Sequence, residues 1–249
     1  MENDSKKEFP GSLEDISPRH LIDENNKNDL QSFFLILGLI FNDLKGLIFF
    51  QKFIENNYRK PNINEVSVHA GEYGGLMAQA DKLLIATVGE FFKFIEENKA
   101  VLNSLSFLLL LKKTSNRDYK NKWYDLVKSS DGSTILSKIA RVRSNVTFHY
   151  DNSMEELRRG FIDSFFLKEK DLTQHKRAYY SLGNDMENTR IYYSDAATQS
   201  YINSLLGIEG REKIRYAVND MNHTIQWLLR IYLDSIKKQL KTSYFRGKK

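Results

Sequence analysis

From Asp29 onward, apolar side chains recur at steps of three and four. Leu30, Phe33, Phe34, Leu37, Ile40, Phe41, Leu44, Leu47 and Ile48 share the period of an amphipathic helix. The pattern predicts a helix ending near Asn57, before Pro61. A second long helix is predicted from Leu76, Ala80, Leu83, Leu84, Thr87, Phe91, Phe94 and Ile95. Glu90, Lys93, Glu96 and Glu97 lie largely on its other side. The apolar run from Leu105 to Leu111 extends that helix or packs beneath it. Ser115 and Asp118 have capping-box spacing ahead of a short helix carrying Trp123, Leu126 and Val127. A fourth helix is expected from near Ser133 to about Tyr150, and Ser153 with Glu156 marks the start of a fifth. Met221, Ile225, Leu228, Tyr232, Ile236 and Leu240 define the last.

Between Lys176 and Asp195 the period shortens towards two, with Tyr179, Tyr180, Ile191, Tyr192 and Tyr193 around a Gly183-Asn184-Asp185 turn signal. A small β-hairpin near 176–195, or an ordered loop, is expected there. No Pro follows Pro61, as long helices require. The fold class expected is all-α. The organisation is a flexible arm over residues 1–28, a single helical domain over 29–243 and a basic tail over 244–249.

Composition narrows the class. With 249 residues, 41 % hydrophobic, 28 % charged and no Cys, the chain matches a soluble globular protein and is neither collagen-like, disulfide-stapled nor wholly disordered. The absence of Cys removes finger-type zinc sites and suits a reducing cytoplasm. The first ten residues are polar and no secretory apolar core follows, so a cytoplasmic location is expected. The segment from Phe33 to Phe53 is apolar enough to suggest a membrane span. Asn42, Asp43, Lys45, Gln51 and Lys52 interrupt it, so a buried amphipathic helix fits better and no membrane partner is expected. Charge adds a partner class. Residues 1–29 hold eight acidic and four basic side chains, so the remainder carries an excess of nine positive charges against +5 for the whole. Such an excess favours a polyanion, nucleic acid or anionic lipid.

The chemistry concentrates in residues 137–151, SKIARVRSNVTFHYD. On a helical wheel Ile135, Ile139, Val142, Val146 and Tyr150 form one apolar stripe, and Arg143 falls within about 40° of its centre. A permanently charged guanidinium there must be paired, snorkelled or given an anionic ligand. Arg141, Asn145 and His149 share the neighbouring face at steps of four. These residue types suit phosphodiester cleavage. An imidazole can exchange a proton near neutral pH with an attacking 2′-hydroxyl or a leaving oxygen, and a guanidinium can hold charge developing on the phosphoryl oxygens. Neither role needs a metal. Late in a helix, His149 would also have its protonated form favoured by the helix dipole.

Arg143, Ser144, Asn145, Val146, Thr147, Phe148 and His149, followed by Tyr150 and Asp151, resemble the signature of the HEPN superfamily: an arginine followed four to six positions later by a histidine, late in a helical bundle. The resemblance implies an all-α bundle that dimerises so that two motifs line one cleft. In active members it implies metal-independent RNA cleavage to a 2′,3′-cyclic phosphate and a 5′-hydroxyl. Many such members are toxins or antiviral defence effectors. By this resemblance Arg143 binds phosphate and His149 transfers a proton, supported by Ser144, Asn145, Arg141 and Tyr150. Expected partners are RNA and a second copy of the chain, with any antitoxin or regulator a separate protein and no cofactor or metal. Many active members have Asn, Asp or His directly after the arginine; here Ser144 holds that place and the amide follows at Asn145.

Other readings stay open at this level. Arg143 could pair with a buried carboxylate such as Asp81, leaving His149 a satisfied helix-end histidine. Six residues on an ideal helix separate two side chains by about 120° and 9 Å. Arg143 must therefore reach, the helix must loosen near His149, or a second subunit must complete the site. A catalytically silent module of the same type, binding RNA or protein, is the alternative function, and a membrane-associated helical protein a third. His20, His69, His175 and His223 lack metal-ligand spacing. His69 near Gly71, Gly74 and Gly75 reads as a helix-start loop rather than a phosphate loop. The four tyrosines around the turn signal could stack on unpaired bases or pack on the bundle.

Overall fold

The computed structural model describes residues 14, 16–62, 65–114, 116–128, 134–142, 155–166, 177–185, 189–207 and 210–246. Among them the chain is all-α, with one isolated antiparallel bridge between Ser181 and Arg190. A one-turn helix α1, Pro18–Leu21, precedes the long helices α2, Asp29–Asn57, and α3, Val68–Glu97. Three short helices follow: α4, Lys99–Leu102; α5, Leu105–Lys112; and α6, Arg117–Lys128. Then come α7, Ile135–Val142; α8, Glu155–Phe165; α9, Tyr192–Leu206; and α10, Gly210–Arg246.

Local chemistry sets the helix starts. Asn28 caps α2 by accepting from the Leu30 and Gln31 N–H groups, and Ser67 caps α3 by accepting from Ala70. Asn116, one residue beyond the expected Ser115, accepts from Tyr119 N–H at the start of α6. Thr134 does the same for α7 through Ser137 N–H.

α3 is the central rod, with α2, α7, α9 and α10 all packed on it. It runs antiparallel to α2, since Phe33 stacks on Phe94 at 4.9 Å near one end while Gln51 reaches Asp81 towards the other. α10 also runs antiparallel to α2, tied by Phe34 stacked on Tyr232 at 3.9 Å and by Arg215 donating to Glu55 at 2.8 Å. Phe107 of α5 and Trp123 of α6 close the aromatic end of the core. α8 and α9 form a close antiparallel pair. Gly160 of α8 sits on the Ala197 carbonyl, where an added Cβ would come within 2.1 Å, so only glycine fits.

One feature differs from the sequence expectation, and two add to it. The hairpin near 176–195 reduces to the single bridge, because Tyr192 and Tyr193 begin α9 instead of continuing a strand. The described part of the segment read as an arm lies on the bundle, with Ile16 and Leu21 against the core and Glu14 bonded to Lys237. The last helix continues through Arg246, into the stretch read as a basic tail.

Candidate functional site

α7 carries the run-in to the Arg143 motif. Its N-terminus is fixed by Thr134, which also accepts a 2.7 Å bond from Ser137 Oγ at its carbonyl. Ile139 is fully buried, and Ile135 and Leu136 are partly buried against the main core. The first half of the expected apolar stripe thus faces inward, with α3, α9 and α10 as its neighbours. Arg143 follows α7 directly in sequence. Arg143, Ser144, Asn145, His149 and Tyr150 lie outside the described residues, as does the Arg141 side chain. Asp81, the acid named as an internal partner for Arg143, sits on α3 and is fully buried. It accepts a 2.8 Å hydrogen bond from Gln51 Nε2, itself buried, and Gln51 is not its sole interaction. Gln51 Oε1 has no hydrogen-bond partner among the described residues.

A second polar cluster joins the start of α9 to the start of α3. Arg190 donates to Glu72 at 3.2 Å and to Asp195 at 3.1 Å, Lys82 stands 4.0 Å from Asp195, and the Tyr192 hydroxyl donates to Glu72 at 3.3 Å. Burial, then the adjacent Glu72 carboxylate, pushes the Tyr192 phenol above its ordinary value. Gly71 and Gly75 make the approach possible. Tyr192 lies against Gly71 and the Arg190 guanidinium against Gly75, where any side chain would collide with them. These glycines are therefore part of a helix surface that receives two side chains, within α3 rather than in a loop before it. Two carboxylates offset the Arg190 charge, so the cluster fastens α9 to α3 and makes a poor phosphate holder. The sequence signal for it was the bare glycine face of α3, legible only once Arg190 and Tyr192 have a place to go.

The remaining candidates separate in space. Tyr179 and Tyr180 are exposed, whereas Tyr192 and Tyr193 are half-buried on α9, so the four do not form one stacking platform. His69 lies 2.7 Å from the Arg59 carbonyl, His20 lines a cavity and His223 is exposed on α10. His175 lies outside the described residues. No group of three or more potential metal ligands occurs among the described residues. The cavity, about 330 Å³, lies between α1, α2, α5 and α10 and is lined by His20, Gln31, Lys113, Tyr232 and Ser235 among others. At the other end of α2, the Glu65 carboxyl in the α2–α3 connection is held far below the usual carboxylate range, first by Arg59, then by Ser67 and the Asn62 N–H.

α2 is long and apolar enough by length and composition to cross a membrane. One face of it is buried against α3 and α10, with Phe33, Phe34, Leu37, Leu44 and Ile54 inside. No family model matches the chain, and neither the curated proteins nor the solved structures give a match.

Proposed function

We propose that this chain is a metal-independent endoribonuclease of the HEPN type, acting as a toxin or antiviral effector. One observation carries the reading: an arginine, six residues before a histidine, follows directly in sequence on α7, whose Ile135, Leu136 and Ile139 pack into the core. A fixed positive charge at such a place calls for an anion, and the basic excess of residues 30–249 favours a polyanionic one.

In the proposed reaction the 2′-oxygen of a ribose attacks the adjacent phosphorus and the bond from phosphorus to the 5′-oxygen breaks. A 2′,3′-cyclic phosphate and a 5′-hydroxyl result. Arg143 holds the non-bridging oxygens as their charge grows, and His149 exchanges a proton with the attacking or the leaving oxygen. Two copies facing each other supply an imidazole for each transfer. Ser144, Asn145, Arg141 and Tyr150 support the pair by hydrogen bonding and charge.

The test is RNA cleavage by purified chain in excess EDTA, repeated with Arg143→Ala and His149→Ala variants whose helical content is unchanged. Loss of at least about a hundredfold in each is expected. Undiminished cleavage in both variants ends the proposal. RNA binding without cleavage, unaffected by His149→Ala, replaces it with the silent binding module that Ser144 after the arginine would suit.

A further inference from the structure

Among the described residues nothing covers the outer face of α2, and that face is apolar. Leu35, Ile36, Leu39, Phe49, Phe50 and Phe53 are each between 37 % and 64 % exposed. Their exposed parts come to roughly 700 Å² on one copy, more than the largest apolar patch of a typical monomer and of the size that marks an interaction site. Within the patch, Leu35, Leu39, Asn42, Gly46, Phe49 and Phe53, all exposed, follow each other at alternating steps of four and three. That is the seam spacing of helix-to-helix packing, sustained over about 27 Å of helix.

We infer that this face docks on the same face of a second copy, with the two α2 helices antiparallel. A twofold axis at the level of Leu44 sets Leu35 of one copy opposite Phe53 of the other, Leu39 opposite Phe49, and Asn42 opposite Gly46. The large side chains stand at the ends of the stripe and the small one near its middle, so the face complements itself in this register. Gly46 has no heavy atom within 4 Å of where a Cβ would stand, which leaves room for close approach. One amide per copy in an otherwise apolar seam also favours a single register. Covering both patches would remove up to roughly 1,400 Å² from water, within the range of a standard stable interface.

A bilayer surface would fit this face less well. Asn42 in the stripe and Asp43 beside it would be pressed towards lipid, whereas pairing of copies sets Asn42 against Gly46 and leaves Asp43 and Lys45 at the borders. The inference stands apart from the ribonuclease reading, because it rests on α2 alone and makes no use of Arg143 or His149.

Light scattering on the full chain at micromolar concentration should show self-association, and the double variant Leu39→Glu, Phe49→Glu should have half the wild-type mass with its helical content unchanged. The substitutions lie on an exposed face, and the dissociation constant should rise at least about a hundredfold. Since the chain has no Cys, introduced thiols report the register cleanly. Mixed Leu39→Cys and Phe49→Cys proteins should cross-link to each other, and neither to itself. A wild-type monomer, a mass indifferent to the double variant, or self-cross-linking of Leu39→Cys each overturns the proposal. So does a monomer that partitions onto anionic phosphatidylserine vesicles through Phe49, which would assign the face to lipid.

Discussion

α2 and α3 are antiparallel neighbours of nearly equal length, 29 and 30 residues, yet they meet their surroundings differently. α3 buries fourteen residues, and beyond its first residue it exposes only Gly74, Gln79, Glu90, Lys93, Glu96 and Glu97. α2 buries eight and leaves six large apolar side chains in solvent. Folding of one chain therefore accounts for every apolar position of α3 after Val68 but for only one face of α2. An apolar residue on α3 is explained by the bundle, whereas one on the outer face of α2 needs something outside it.

The largest test of that contrast sets a core position against a surface one. Leu84→Ala on α3 should cost about 3 kcal/mol in urea unfolding, since Leu84 is fully buried. Phe49→Ala should change the unfolding free energy of the monomer by less than about 0.5 kcal/mol. It should weaken self-association at least about tenfold, read by sedimentation. Equal effects of the two substitutions on monomer stability would erase the distinction. Asp81→Leu, which removes the acceptor of the buried Gln51 amide, should cost about 1–3 kcal/mol by the same unfolding measurement.

Glycines sharpen the picture with smaller effects. Gly160→Ala forces a methyl group into the Ala197 carbonyl and should destabilise by about 2 kcal/mol, measured by thermal melting. Gly46→Ala meets no neighbour among the described residues and should stabilise a single copy by about 0.5–1 kcal/mol through helix propensity. The same methyl group should weaken a pair of copies that approach at Gly46.

The smallest expected effect is a pH dependence. Burial raises the Tyr232 phenol above its ordinary value, so the neutral form is favoured in the folded state. Its contribution to stability is complete below the unfolded value near about 10 and declines as pH rises from there towards the folded value. Tyr232→Phe should remove that alkaline component, followed by unfolding at pH 9 and pH 11, while an unchanged profile would show that the phenol ionises freely.

The long periodic helices were the most legible part of the sequence. Asp29 to Asn57 was readable end to end, because the apolar stripe sets in after Asp29 and Pro61 limits its far end. Capping positions were readable only to within a residue, with Asn116 for Ser115 and Thr134 for Ser133, because Ser, Thr and Asn offer interchangeable side-chain acceptors there. α9 was missed. Its apolar period is broken by Ser194, Asp195 and Gln199, and its buried Ala197, Tyr201, Ile202 and Leu206 are covered by long-range packing on α8, α3, α7 and α10. For the candidate site, the residue types and spacing of Arg143 and His149 were legible, as was the inward face of α7 through Ile139. The exposed stripe of α2 was hidden in plain view: the same helix carries two apolar faces, and periodicity alone does not say which one the core takes.

The most direct measurement compares an RNA with its fully 2′-O-methylated counterpart, both incubated with purified chain in excess EDTA, followed by analysis of the fragment ends. Cleavage of the RNA alone, leaving cyclic phosphates and 5′-hydroxyls and abolished by His149→Ala, is the predicted result. Equal cutting of the methylated strand, or an RNA left intact, would contradict it.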